Sequence, residues 1–375
     1  VTASASPAAR AAEILSRPVA LNGLTVPNRI VMAPMTRQFS PGGVPGEDVR
    51  SYYARRAGAG VGLIVTEGTY VGHESAGMSD RVPRFHGEEQ LAGWAQVAEA
   101  VHEAGGLIVP QLWHIGMVRR AGKPPYADAP AVGPSGVRTD GTEGTGRAMT
   151  RSDLDAVIGA FAEAAAEAER IGFDGVELHG AHGYLIDQFL WAGTNRRTDE
   201  YGGDPVARTK FAAEVVAAVR ERVSPEFPVI FRYSQWKQDA YDARLAETPQ
   251  ELAAILAPLA EAGIDAFHAS TRRYWLPEFE GSELNLAGWT KKLTGKPTIT
   301  VGSVGLDGEF LDALAGQGSP LKAIDELLDR MECGEFDLVA VGRALLQDPQ
   351  WAAKVLGGRL DELKPYDAAS LKTLS

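Results

Sequence analysis

LDAVIGAFAEAAAEAERIGFDGVELHGAH, residues 154–182, holds the reading that decides the fold. Apolar side chains recur at three- and four-residue steps from Leu154 to Ile171, which predicts a helix. Thr150 just upstream, with Asp153 three residues later, supplies a capping arrangement for its start. A short apolar run from Gly175 to Leu178 follows, and then imidazoles. This helix, strand and polar-loop unit repeats along the chain. Candidate strands run from Ile30 to Pro34, Gly62 to Thr66, Leu107 to Leu112, Gly175 to Leu178, Val229 to Arg232, Ala266 to Ala269, Thr298 to Val301 and Leu338 to Val341. Helical patterns such as Leu91 to Ala104 and Phe211 to Val223 lie between them. Eight strands alternating with helices predict an α/β fold, a closed (β/α)8 TIM barrel.

At 375 residues the chain has material for such a barrel and its insertions. Residues 1–375 read as a single domain, since no low-complexity linker divides them. The segment 114–148, rich in Gly, Pro, Ala and Thr, is an excursion between strand three and helix three. Its length marks it as a lid or wall.

Composition narrows the function. With 45% hydrophobic and 23% charged residues the chain has a globular composition. A net charge of −12 lacks the basic surface that nucleic acid requires. Cys333 is the single cysteine, so an intrachain disulfide and an iron–sulfur cluster are both excluded. No stretch has signal-peptide character or reaches the roughly 20 apolar residues that span a bilayer, so no membrane association and a cytoplasmic location are expected.

A barrel carries its active site at the C-terminal ends of its strands. Those positions hold Pro34, Met35 and Thr36 after strand one, Glu67 and Gly68 after strand two, Gln111 within strand three, and His179, His182 and Tyr184 after strand four. Arg232 ends strand five, Gly302 and Ser303 follow strand seven, and Gly342 and Arg343 follow strand eight. Loops after strands seven and eight commonly bind phosphate in this fold, and Arg343 offers a forked cation there. The plain alternative is that these glycines end strands and Arg343 pairs with a surface carboxylate. Arg232 at a barrel mouth calls for an anionic partner, either a cofactor or a carboxylate such as Glu67 or Glu177. His179 and His182 can donate hydrogen bonds to a carbonyl oxygen, and Tyr184 can act as a general acid. The same His pair could ligate a metal in a barrel hydrolase, but no third ligand with comparable spacing is present, and no metal is expected.

Together these residues resemble the Old Yellow Enzyme family, from LNGLTVPNRIVMAPMTR (21–37) to VGRALLQDP (341–349). The most specific segment is ELHGAHGYLIDQFLWAGTNRRTDEYGG (177–203), supported by PQLWH (110–114), VIFRYS (229–234) and VGSVG (301–305) in the expected order. The resemblance implies an FMN across the barrel mouth. Pro34, Met35, Thr36, Gly68, Gln111 and Arg232 would surround its ring, with Gly302, Ser303, Gly342 and Arg343 at its phosphate. It implies ping-pong reduction of an enone, enal, maleimide or nitroalkene by NADPH or NADH, with His179 and His182 holding the substrate oxygen and Tyr184 as proton donor. Trp113, Tyr70, Tyr274 and Trp275 are candidate pocket walls. Thr36 resembles the classical branch, where the thermophile-associated branch has Cys. Relatives that reduce dienoyl-CoA carry a cysteine cluster and further domains, so that reading is not expected. A flavin-binding protein without useful turnover is the other alternative, and a monomer or homodimer is expected.

Overall fold

In the computed structural model, which describes residues 6–143 and 146–375, eight parallel strands close into a barrel. They are β1 (Ile30–Met32), β2 (Leu63–Tyr70), β3 (Ile108–Trp113), β4 (Val176–His182), β5 (Val229–Lys237), β6 (Ala266–Ser270), β7 (Thr298–Val301) and β8 (Leu338–Val341). Each pairs with its neighbour in sequence, and β8 closes on β1 through Val339 to Ile30 and Val341 to Met32. Helices follow the strands on the outside, among them Glu88–Glu103, Arg151–Arg170 and Pro205–Arg222. The expected (β/α)8 barrel is the observed fold.

The barrel has two cores. Inside, Val31, Leu63, Val65, Val109, Ile230 and Ile299 form one buried cluster. Its floor is a hairpin, Val19–Leu21 with Leu24–Val26, whose Leu21 and Val26 are fully buried in that cluster. This hairpin lies outside the eight predicted strands. The larger core lies between strands and helices, where Trp94, Phe161, Phe211 and Leu256 are buried. Burying each such side chain contributes about 1.5–3 kcal/mol.

Three strands run past the apolar stretches that announced them. Glu67 and Gly68 lie within β2, and His179 and His182 within β4, rather than after them. β5 continues to Lys237. Polar side chains interrupt the apolar pattern at these rim positions, the pairing resumes past irregularities between Val65 and Gly68 and between Gly180 and His182, and backbone groups left out of the ladder there find other partners. Glu67 N–H, for instance, donates to the Tyr53 hydroxyl at 2.8 Å. The helix Arg151–Arg170 starts at the expected capping box, in which Asp153 N–H donates to Thr150 Oγ1 and Thr150 N–H to Asp153 Oδ2.

The excursion between β3 and helix Arg151–Arg170 holds a short helical turn, Gly116–Val118, and a small paired segment, Val132–Gly133 with Arg147–Ala148. Residues 144 and 145 of it lie outside the described residues, as do residues 1–5 of the expected domain.

Candidate active site

A cavity of about 470 Å³ opens at the C-terminal mouth of the barrel. Pro34, Met35, Thr36, Gln111, Arg232 and Trp113 line it, together with His179, His182, Tyr184, Gly302, Ser303, Gly342 and Arg343. Four other expected residues are not brought to it. Gly68 sits behind Trp113, and a Cβ there would meet that ring at 2.6 Å. Tyr70 is buried against Trp113, with centroids 5.2 Å apart. Tyr274 is fully buried in the outer core, with Asn285 bonded to its carbonyl oxygen. Trp275 lies under Lys322, 4.2 Å from its ring. The segment STRRYWLPEFEG thus packs its aromatic rings away from the mouth. The described residues of the excursion contribute nothing to the lining either.

The histidine-rich turn is built by buried polar bonds. His182 and Gly183 both have left-handed backbone, with φ of 66° and 83°. Gly183 N–H donates to Asp187 Oδ2 at 2.6 Å, and Gln188 Nε2 donates to Gly183 O at 2.7 Å. Asp187 is itself held by Lys237 Nζ at 2.8 Å, with both side chains fully buried. His182 N–H donates to Ser234 Oγ at 2.9 Å. These bonds turn the chain so that Tyr184 stands at the residue before helix Leu185–Leu190 and its ring returns to the cavity.

Three aromatic side chains therefore converge. The His179 and His182 centroids are 5.3 Å apart, and Tyr184 stands edge-on to His179 at 4.9 Å and to Trp113 at 4.8 Å. Burial, reinforced by the charge of Arg232, pushes both imidazoles well below their ordinary value, so both are neutral near pH 7. His179 Nδ1 accepts from Ala181 N–H at 3.3 Å, which leaves its Nε2 as the donor. His182 Nε2 is bonded to Ser270 Oγ at 2.8 Å. Among the described residues no group of three His, Cys, Asp or Glu side chains converges as metal ligands would. Burial pushes the Tyr184 phenol well above its ordinary value, so it stays protonated.

Below this trio lies a buried polar layer. Glu177 accepts from Gln111 Nε2 at 2.7 Å and is bonded to His268 Nδ1 at 2.7 Å. Burial lowers His268, so it donates as a neutral imidazole. Gln111 spends an N–H on Glu177 and keeps its carbonyl oxygen for the cavity. Arg232 is buried yet forms no ion pair with Glu67 or Glu177, and its Nε has no partner among the described residues. The carboxylate reading of Arg232 holds only at a distance: the charge of Glu177 offsets part of its burial without a direct ion pair. A buried guanidinium with an idle donor is costly unless an acceptor arrives.

The strand-seven and strand-eight turns meet as expected. Arg343 Nη2 donates to Ser303 Oγ at 3.0 Å and to Gly308 O at 2.8 Å, and Nη1 donates to Glu309 O at 2.9 Å. Its direct partners among the described residues are neutral oxygens, while the carboxylates of Glu309 and Asp312 lie near enough to favour its charge. Gly302 has φ of 151°, and a Cβ would meet Thr271 Oγ1 at 2.6 Å, so the backbone approach requires glycine there. The idle donor of Arg232 at one end, and at the other the half-buried cation of Arg343, which has no direct ion pair among the described residues, fit a planar, carbonyl-bearing ring with a phosphate tail. Gln111 and Arg232 would hold the ring of FMN, and Ser303 and Arg343 its phosphate.

Sequence reasoning missed several lining residues, notably Trp236, Gln238, Tyr241, Ser270, Arg272 and Tyr366. Ser270 ends β6 and could have been found by the strand-end rule; Trp236 lies beyond the apolar run of β5, where the rule was not applied. Tyr366 arrives from a distant segment and carries no local signal.

A (β/α)8 barrel with this mouth belongs to the flavin oxidoreductase class. The NADH:flavin oxidoreductase / NADH oxidase family model matches residues 15–362, and the chain belongs to that family, the Old Yellow Enzyme group, with FMN as its cofactor. It is 33% identical over 353 residues to NADH oxidase of Thermoanaerobacter brockii, covering 92% of this chain and 51% of that protein. The chain thus spans about half the length of that relative. It is also 33% identical over 338 residues to 12-oxophytodienoate reductase 7 of Oryza sativa subsp. japonica, covering 86% and 82% of the two chains. The structure of morphinone reductase in complex with tetrahydroNAD superposes with a TM-score of 0.78 at 30% identity, covering 95% of this chain and 93% of that one.

Proposed function

We propose that this chain is an ene-reductase that uses NADPH or NADH to reduce activated alkenes by a ping-pong cycle. The observation that carries the reading is the neutral His179 and His182 pair beside the protonated Tyr184 in one cavity. FMN bound there supplies the two-electron chemistry, accepting hydride from the nicotinamide and delivering it to the β-carbon of an enone, enal, maleimide or nitroalkene. The imidazole N–H groups bind the carbonyl or nitro oxygen and stabilise the negative charge that grows on it, a preference for transition state over ground state. Tyr184 gives its proton to the α-carbon. Trp113 fixes both His179 and Tyr184 by ring contact, at 5.9 Å and 4.8 Å, and so sets the distance between oxygen site and proton donor. No helix among the described residues is long and apolar enough to cross a membrane.

Purified protein should be yellow, bleach anaerobically with NADPH or NADH, and regain colour on adding cyclohexenone, maleimide or a nitroalkene. Tyr184→Phe should leave the bleaching step within about twofold and slow cyclohexenone reduction by roughly 10²-fold or more, as for loss of a general acid. Protein that bleaches but is reoxidised by none of these acceptors would establish flavin binding without alkene reduction instead.

A further inference from the structure

Tyr184 does not point its proton at open space. Its hydroxyl donates to Gln238 Oε1 at 2.8 Å, and both side chains line the same cavity. Gln238 follows β5 on a short turn, closed by reciprocal Lys237 and Ala240 backbone bonds of 3.3 Å. Its own N–H donates to His182 O at 3.1 Å, which ties the turn to the strand end that carries the imidazoles. The neighbouring Asp239 accepts from Thr139 Oγ1 at 3.3 Å. The Tyr184 ring is gripped edge-on by Trp113 and His179. The freedom left to the phenol is rotation of its O–H bond.

We propose that Gln238 is a positioning residue for Tyr184: its amide oxygen holds the phenol proton between turnovers, and its amide N–H, turned over, holds the oxygen after that proton has left. The inference rests on the reading of Tyr184 as proton donor. A phenol has one proton, so it cannot donate to Gln238 and to a substrate carbon together. When substrate enters, the O–H swings from Oε1 to the α-carbon; the new C–H bond takes the proton, and the O–H bonding pair stays on oxygen as phenolate. That charge forms in a buried place, where burial, Tyr70 and Asp239 all disfavour it and Arg232 alone among the named groups favours it. An amide suits this cycle because one rotation exchanges an acceptor for a donor. A carboxylate could only accept, and an aliphatic side chain could do neither. Gln238 is exposed to solvent, so water reaches the pair and returns the proton to the phenolate.

Gln238→Leu and Gln238→Glu test this on the FMN-loaded chain, with cyclohexenone and a nitroalkene as acceptors. The two are chosen because a nitronate can be protonated in solution. Gln238→Leu should slow cyclohexenone reduction about tenfold, the value of one hydrogen bond, with the change in kcat rather than KM. Gln238→Glu should slow it further, and increasingly as the carboxylate ionises. Nitroalkene reduction and bleaching by NADPH should change by less than about twofold. Independently of turnover, the Tyr184 ring-carbon resonance in protein labelled with 13C-tyrosine should move at neutral pH in Gln238→Leu, which removes the acceptor of the phenol proton, and an unmoved resonance would count against the pairing. Cyclohexenone rates unchanged in Gln238→Leu, or equal slowing with both acceptors, would overturn the role of Gln238 while a slow Tyr184→Phe left the proton donor standing. An unaffected Tyr184→Phe would overturn both.

Discussion

Lys237 Nζ lies 2.8 Å from Asp187 Oδ1, and neither side chain is exposed to solvent. The pair joins the end of β5 to the helix that follows Tyr184, and its carboxylate also receives Gly183 N–H. Lys237→Met leaves Asp187 buried without its cation, which typically costs about 3–5 kcal/mol. Urea unfolding should show a loss of that size, and the double change Lys237→Met with Asp187→Asn should recover part of it. Equal losses in the single and double variants would mean that the charge of Asp187 is not what the lysine compensates.

Gln111 is oriented by Glu177, and Glu177 by His268. Removing the acceptor with Glu177→Ala should free the Gln111 amide and weaken FMN binding by roughly tenfold, as for one buried hydrogen bond. Titration of apoprotein with FMN, read by fluorescence quenching, measures it. Gln111→Leu should cost a similar amount, and the double variant clearly less than the sum, because both changes remove one arrangement. Additive losses would separate the two residues.

Glu67 accepts the backbone N–H groups of Arg37 at 2.8 Å and Gln38 at 3.3 Å, beside Thr36. Burial raises its carboxyl from the ordinary 4.5 to about 7, and those bonds and the Arg37 charge offset only part of this. Between these values the folded protein keeps a proton that the unfolded chain has released. Stability therefore falls as pH rises through that window, by on the order of 3 kcal/mol when complete. Glu67→Gln retains an acceptor oxygen and removes the ionisation, so its stability should decline less between about pH 4.5 and 7. Parallel pH profiles for the two proteins would rule the assignment out.

Gly183 has φ of 83°, and a Cβ there would meet Thr139 Cγ2 at 2.7 Å. Gly183→Ala should cost about 1–2 kcal/mol from backbone strain, with contact strain added. Thr139→Ser deletes the offending methyl and should restore only the contact part. Complete rescue in thermal unfolding would show that the left-handed backbone at this position is not strained by a side chain.

The sequence by itself determined the barrel and most of its mouth. Apolar runs of β-length separated by helical periodicity are local patterns, at steps of two or of three and four residues, and they survive any particular packing. All eight strands follow from them, two of them to the residue, Thr298–Val301 and Leu338–Val341. Because a parallel barrel gathers its strand ends on one face, position at or just beyond the end of an apolar run sufficed to bring His179, Gln111, Arg232 and Arg343 together. Tertiary structure alone decided which polar group meets which. Glu177 and His268 are 91 residues apart, Lys237 and Asp187 50, and Tyr184 and Gln238 54, and no local periodicity encodes such pairings. The same holds for Tyr70, Tyr274 and Trp275, whose aromatic character is equally suited to a pocket or a core. Whether such a ring faces the mouth or the helices depends on where its loop runs after closure, and here the outer core took all three.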